Sequence, residues 1–177
     1  MNQPLYTTDI LRLAASLPPF EPLAGASGSA EKRAVTCGST IQADVRTDAD
    51  GRVVALAQKV TACAFGQASA AIVQGAVVGQ DLTGLQVLRA GLQEWLSGRS
   101  DDAGPFAPLA PAREKTGRHG AMLLPLDTVI AAVEDSSRHS REGGSPSPEL
   151  VASAGGREMD PRLRGDDGHL REDDLRA

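Results

Sequence analysis

The stretch STIQADVRTDADGRVVALAQKV, residues 39–60, decides the fold. Its first half alternates: Ile41, Ala43 and Val45 project one way, Gln42, Asp44 and Arg46 the other. A two-residue period of this kind marks a strand with one buried face. The DADG segment, Asp48 to Gly51, ends in the residue that most readily accepts a positive φ, and RVVALAQKV reads as the returning strand of a hairpin. The spacing of Asp48, Asp50 and Gly51 superficially matches a calcium loop. Such a loop would begin at Arg46 and end at Ala57, neither of which can ligate the ion, so a β-turn accounts for the cluster.

Helical periods surround the hairpin. TTDILRLAASL places Ile10, Leu13 and Leu17 on one face, with Thr7 or Thr8 as N-cap. Residues 18–34, with Pro18, Pro19, Gly25 and Gly28, read as a loop. From Phe65 onward Ala68, Ser69, Ile72, Val73 and Ala76 form a small-residue face, and the Gly75-x-x-x-Gly79 spacing suggests close packing. TGLQVLRAGLQEWLSG aligns Leu85, Leu88, Leu92, Trp95 and Leu96, with Thr83 as cap and Gly98 as stop. Residues 97–118 read as a polar loop with three prolines. LLPLDTVIAAVED is a final helix with Pro125 in its first turn and Leu126, Val129, Ile130 and Val133 facing inward. The order implies an α+β domain, a small antiparallel sheet covered on one side by helices.

The domain is expected to span residues 1–136. Residues 137–177 hold seven arginines and nine acidic residues but few large apolar side chains. Such a segment cannot bury enough apolar surface to offset the entropy of ordering, and it is expected to be disordered. SRHSREGGSPSP and MDPRLRGDDG within it resemble the translation of a dispersed palindromic DNA repeat of bacterial genomes.

The 177 residues are 41% hydrophobic but only 3% aromatic, so the core is built from Ala, Leu, Val and Ile. A net charge of −5 without a basic cluster argues against nucleic acid as a partner. The N-terminus lacks the basic and apolar regions of a signal peptide, and no apolar run is long enough to span a bilayer. The expectation is a cytoplasmic protein with no membrane partner. No Gly-x-Ser-x-Gly elbow is present, so a serine-hydrolase reading has no support.

Cys37 and Cys63 are the only cysteines. In a reducing compartment such a pair signals a metal or thiol site, or burial, rather than a structural disulfide. Cys37 precedes the first hairpin strand and is followed by Gly38, which lets the backbone turn tightly. Cys63 follows the second strand just ahead of a helix, whose unpaired N–H groups favour an anionic sulfur. The hairpin sets the start of one strand beside the end of the other, so the two sulfurs should be neighbours. His119, ahead of the last helix, is the third candidate ligand; His139 and His169 lie in the tail.

Cys-Gly at a strand start, a cysteine opening a small-residue helix, and a histidine motif before a terminal helix resemble the NifU N-terminal, IscU and SufU family. The similarity runs over about residues 5–133. It includes Gly51 and ACAFGQASA, which is similar to the family's GC…AS helix start with Ser69 at its serine. The resemblance implies an iron–sulfur cluster assembly scaffold, not an enzyme. Cys37, Cys63 and His119 would be its metal ligands, Gly38, Ser39 and Ser69 would lie around them, and iron, a 2Fe-2S cluster or zinc would be bound.

It also implies a cysteine desulfurase and iron–sulfur recipient proteins as partners. Two departures stand out: Ser39 replaces the family's aspartate after Cys-Gly, and Gly120 stands where the third cysteine follows the histidine. The fourth position is then open to water, a partner's thiol or a second chain, the last making a homo-oligomer. LAPAR, residues 109–113, resembles the scaffolds' chaperone-recognition loop, at a longer distance from the histidine. Two alternatives follow from the same likeness: a SufU-like zinc-bound sulfur acceptor, or a degenerate member acting as a metal-free interaction module.

Overall fold

The structure, a computed structural model, describes residues 6–35 and 38–142. Three antiparallel strands, β1 (Gly28–Arg33), β2 (Thr40–Thr47) and β3 (Val53–Thr61), lie in the order β1-β2-β3. Helices α1 (Thr8–Ala15), α2 (Ala64–Ala76), α3 (Leu82–Leu96) and α4 (His119–Glu142) complete the α+β architecture. The hairpin forms as its alternation dictates. Ile41, Ala43 and Val45 are fully buried, and Leu56 joins them from β3 opposite Val45. At the turn, Gly51 has φ +75°, and the Asp48 carboxylate accepts the N–H groups of Asp50 (3.0 Å) and Arg52 (2.9 Å). That carboxylate is committed to shaping the turn.

The outer face of β2 departs from simple alternation. Asp44 is buried, because β1 and the segment before it fold across it: its carboxylate accepts from Ser29 Oγ at 2.9 Å and from the Leu23 N–H at 3.5 Å. The expected loop over 18–34 in fact ends in strand β1, paired with β2 from Gly28↔Val45 to Arg33↔Thr40. GSAEKR has no apolar alternation to announce a strand. What holds it is α4, which crosses so closely that a Cβ on Gly28 would lie 2.2 Å from the Ala132 carbonyl oxygen. Asp135 on the same helix accepts the Ser29 N–H at 3.2 Å.

The helices begin and end largely where the pattern places them. Thr7 caps α1 by accepting the Ile10 N–H (3.3 Å), and Gly98 (φ +78°) follows the last residues of α3. Asp81, not Thr83, caps α3, accepting from Gly84 N–H at 2.8 Å. The Gly75 and Gly79 spacing makes no close contact: nothing lies within 4 Å of a Cβ built on either. Close packing occurs instead at Gly66, where a Cβ would sit 2.8 Å from Ala62 Cβ and 3.2 Å from the Ala121 carbonyl oxygen.

Residues 97–118 are not an unstructured loop. Gly104–Ala112 is a 3-10 helix that buries Phe106, Leu109 and Ala112, and Thr116–Arg118 forms a further turn. GPFAPLAPA repeats every three residues, which is the 3-10 period, so its prolines share one side and its buried residues another. α4 also begins earlier than expected, at His119, which puts Pro125 inside the helix rather than in its first turn. It runs past the expected boundary at Ser136 to Glu142; the rest of the tail lies outside the described residues.

An interior proline costs about 3 kcal/mol. Burial of Met122 before it and of Leu126, Val129 and Val133 after it stabilises by roughly 1.5–3 kcal/mol each, so the helix continues through. Ser69 assists, donating its buried hydroxyl to the Met122 carbonyl at 2.6 Å. Gly28→Ala should lower stability by roughly 1–3 kcal/mol in urea unfolding, because backbone must move to admit the methyl. Gly91→Ala, mid-α3 with nothing within 4 Å, should instead raise it by about 0.5–1 kcal/mol.

Candidate metal centre

Three chain segments meet at one end of the sheet. The first is the β1–β2 connection, closed by Ala34 N–H to the Ser39 carbonyl (2.8 Å) and Gly38 N–H to the Ala34 carbonyl (3.0 Å). Gly38 has φ +69°, which a side chain would strain. Ser39 is buried, whereas Val35 is fully exposed. Cys37 lies between them, outside the described residues.

The second segment is the β3–α2 junction. Thr61 pairs with Thr40, so Ala62 and Cys63 leave the sheet beside Gly38 and Ser39. Cys63 is the N-cap of α2 (φ −66°, ψ 167°): its carbonyl receives the Gln67 N–H at 3.0 Å, but its side chain makes no capping hydrogen bond. The thiol is free and half-buried at the positive end of the α2 dipole.

The third is the start of α4. His119 is its first residue, half-buried, and its Nε2 lies 2.7 Å from the Arg113 carbonyl oxygen. A carbonyl only accepts, so Nε2 carries a proton, and Nδ1 is the ring nitrogen left to offer a lone pair. The first turns of α2 and α4 touch at Gly66 and Ala121. An open cleft of about 530 Å³ separates residues 31–35 on one wall from Gly120, Leu124 and Asp127 on the other. Ala34 and Val35, at the start of the β1–β2 connection, therefore face the start of α4.

Ser69 is fully buried and committed to Met122, so it supports α4 rather than opening toward the cleft. Among the described residues no three His, Cys, Asp or Glu side chains gather into a metal-holding group; the expected set includes Cys37, which is outside them. Asp127, on the cleft wall, is paired with Arg89 at 2.9 Å. The LAPAR stretch is not displayed as a loop: Leu109 and Ala112 are buried and Arg113 is held by several bonds. Arg113 is the residue at this site that sequence reading misses. Nothing local signals that its carbonyl meets a side chain six positions on.

No protein-family model and no curated protein matches the sequence. Solved structures do. The N-terminal part of a nitrogen-fixing NifU-like protein from Brucella abortus superposes with a TM-score of 0.67 at 28% identity, covering 79% of this chain and 96% of that one. A putative iron–sulfur cluster assembly scaffold for the SUF system from Fervidobacterium islandicum AW-1 gives 0.64 at 17% identity, covering 73% and 96%. These neighbours support the NifU/IscU/SufU-like family. The fold of this chain matches these NifU-like and SufU scaffold structures over about three quarters of its length. Among the described residues no helix is long and apolar enough to cross a membrane.

Ser69→Ala should cost roughly 0.5–1.5 kcal/mol in urea unfolding, the net worth of the lost buried hydrogen bond to the Met122 carbonyl.

Proposed function

We propose that this chain is an iron–sulfur cluster assembly scaffold-like protein that takes iron, a nascent cluster or zinc through Cys37, Cys63 and His119. The observation that supports this most directly is the free Cys63 thiol at the N-cap of α2, whose first turn packs on the helix that His119 begins. Thiolate and imidazole are the donors that iron and zinc accept. The β2–β3 register sets Gly38 and Ser39, which follow Cys37 in sequence, beside the end of β3 that leads into Cys63.

Ser39 and Gly120 contribute neither a carboxylate nor a thiol, so the fourth donor comes from outside: water, a partner's sulfur or a second copy of the chain. An open position suits a carrier, which must release its cargo. A cysteine desulfurase would deliver the sulfur and recipient apoproteins would take the product. The protein would act in the cytoplasm as a carrier, without catalysing a reaction of its own.

The full chain, purified without oxygen and supplied with ferrous iron and sulfide, should retain near-stoichiometric iron and sulfide, or zinc where zinc is offered. Cys63→Ser should lose them while remaining folded by circular dichroism. A wild-type protein that holds no metal under either condition overturns the proposal.

A further inference from the structure

We infer that Arg113 is a positioning residue for His119, holding the imidazole in its Nε2–H form so that Nδ1 is the nitrogen offered to the metal. The metal clause rests on the reading of His119 as a ligand given above; the hold on the ring does not. The geometry is a short relay from α3 to the candidate site.

The Arg113 guanidinium is anchored on the end of α3 and the chain just after it. Its Nε donates to the Trp95 carbonyl at 2.9 Å and its Nη2 to the Ser100 carbonyl at 2.7 Å. Nη2 also lies 3.3 Å from the Asp101 carboxylate, and the guanidinium carbon stands 5.5 Å from the centre of the Trp95 ring. Two carbonyls, a carboxylate and an aromatic face require the planar fork of arginine. A lysine ammonium on a flexible stem cannot meet all four.

The main chain of Arg113 is fixed as well. Its N–H donates to the Ala110 carbonyl at 3.1 Å, at the end of the 3-10 helix whose Leu109 and Ala112 are buried. The chain then reverses through Lys115 N–H to Ala112 (2.9 Å) and Arg118 N–H to Lys115 (2.7 Å), returning His119 to within 2.7 Å of the Arg113 carbonyl. With the side chain clamped to α3 and the backbone clamped to the 3-10 turn, that carbonyl is a fixed acceptor. A ring that donates Nε2–H to a backbone carbonyl is set in tautomer and rotation, the usual outer arrangement of a metal-ligating histidine. Asp101 is fully exposed and adds little, so the two carbonyl bonds and the Trp95 face carry the hold.

The test uses the metal-free full chain labelled with ¹⁵N-histidine, at a pH of about 8 where an ordinary imidazole is neutral. Long-range proton–nitrogen spectra read the tautomer directly, with His119→Gln assigning the signal. Wild type should show His119 protonated on Nε2 alone. Arg113→Ala should show a mixture of the two tautomers, and Arg113→Lys, which keeps the charge without the fork, should fall between. In competition with a chelating dye, zinc affinity should drop about tenfold in Arg113→Ala and less in Arg113→Lys.

A His119 signal unchanged in both Arg113 variants overturns the positioning role. If Arg113→Ala does not fold, the Arg113→Lys spectrum decides alone. If wild type binds no zinc yet its tautomer is released by the Arg113 substitutions, the hold is correct and the reading of His119 as a ligand fails. A mixed tautomer in wild type removes the inference altogether.

Discussion

Helix α4 meets strand β1 with no side chain between their backbones at Gly28, and the rest of the structure is arranged around that approach. A methyl there would sit 2.2 Å from the Ala132 carbonyl oxygen and 2.5 Å from the Ser136 nitrogen. Only glycine permits it, and once permitted, α4 covers β1 and β2 and offers its other sides to α2 and α3. Thr47 and Ser136 share a hydroxyl–hydroxyl bond of 3.0 Å near the same crossing, and Asp135 closes the Ser29 N–H. A second glycine, Gly66, sets the approach of α2 to the start of α4. Two missing side chains thus fix where the longest helix lies.

Polar groups inside this packing are used to tie layers together. Gln58, on the core face of β3, donates to the Ala70 carbonyl (3.1 Å) and to Gln74 Oε1 (2.9 Å), while Gln74 donates to the Leu56 carbonyl at 2.7 Å. Gln74, within α2, thereby joins helix to strand. A buried amide is tolerated where it is hydrogen-bonded and costs stability where it is not. Ser69 follows the same logic, its buried hydroxyl donating to the Met122 carbonyl and so tying α2 to α4.

The candidate site inherits its shape from these contacts. Cys63 is placed by the end of β3 and the start of α2, His119 by the start of α4, and the two starts are held together through Gly66 and Ala121. The ring of His119 is oriented by a carbonyl that belongs to a separate element, the end of the 3-10 helix. In the proposed function, rigid elements would supply the donors and the incomplete set would leave room for an incoming group, a combination that suits temporary holding of a cargo.

The local patterns of the chain determined the hairpin, the helical faces and the placement of Cys63 at a helix start, because alternation, turn chemistry and 3.6-residue spacing act within a few residues. The three-residue beat of GPFAPLAPA was equally local and marks the 3-10 helix once its period is read as three. Strand β1 was not legible: GSAEKR pairs because α4 lies over it, and Gly28 resembles any loop glycine until a helix backbone rests against it. The burial of Asp44 likewise depends on partners well along the chain, and the His119 bond to Arg113, though only six residues long, rests on the hold of the Arg113 side chain on Trp95 and Ser100. Short-range propensity sets which elements form. Close approach, desolvation and hydrogen-bond satisfaction between distant segments decide how they meet, and it is at those meetings that the candidate site takes its geometry.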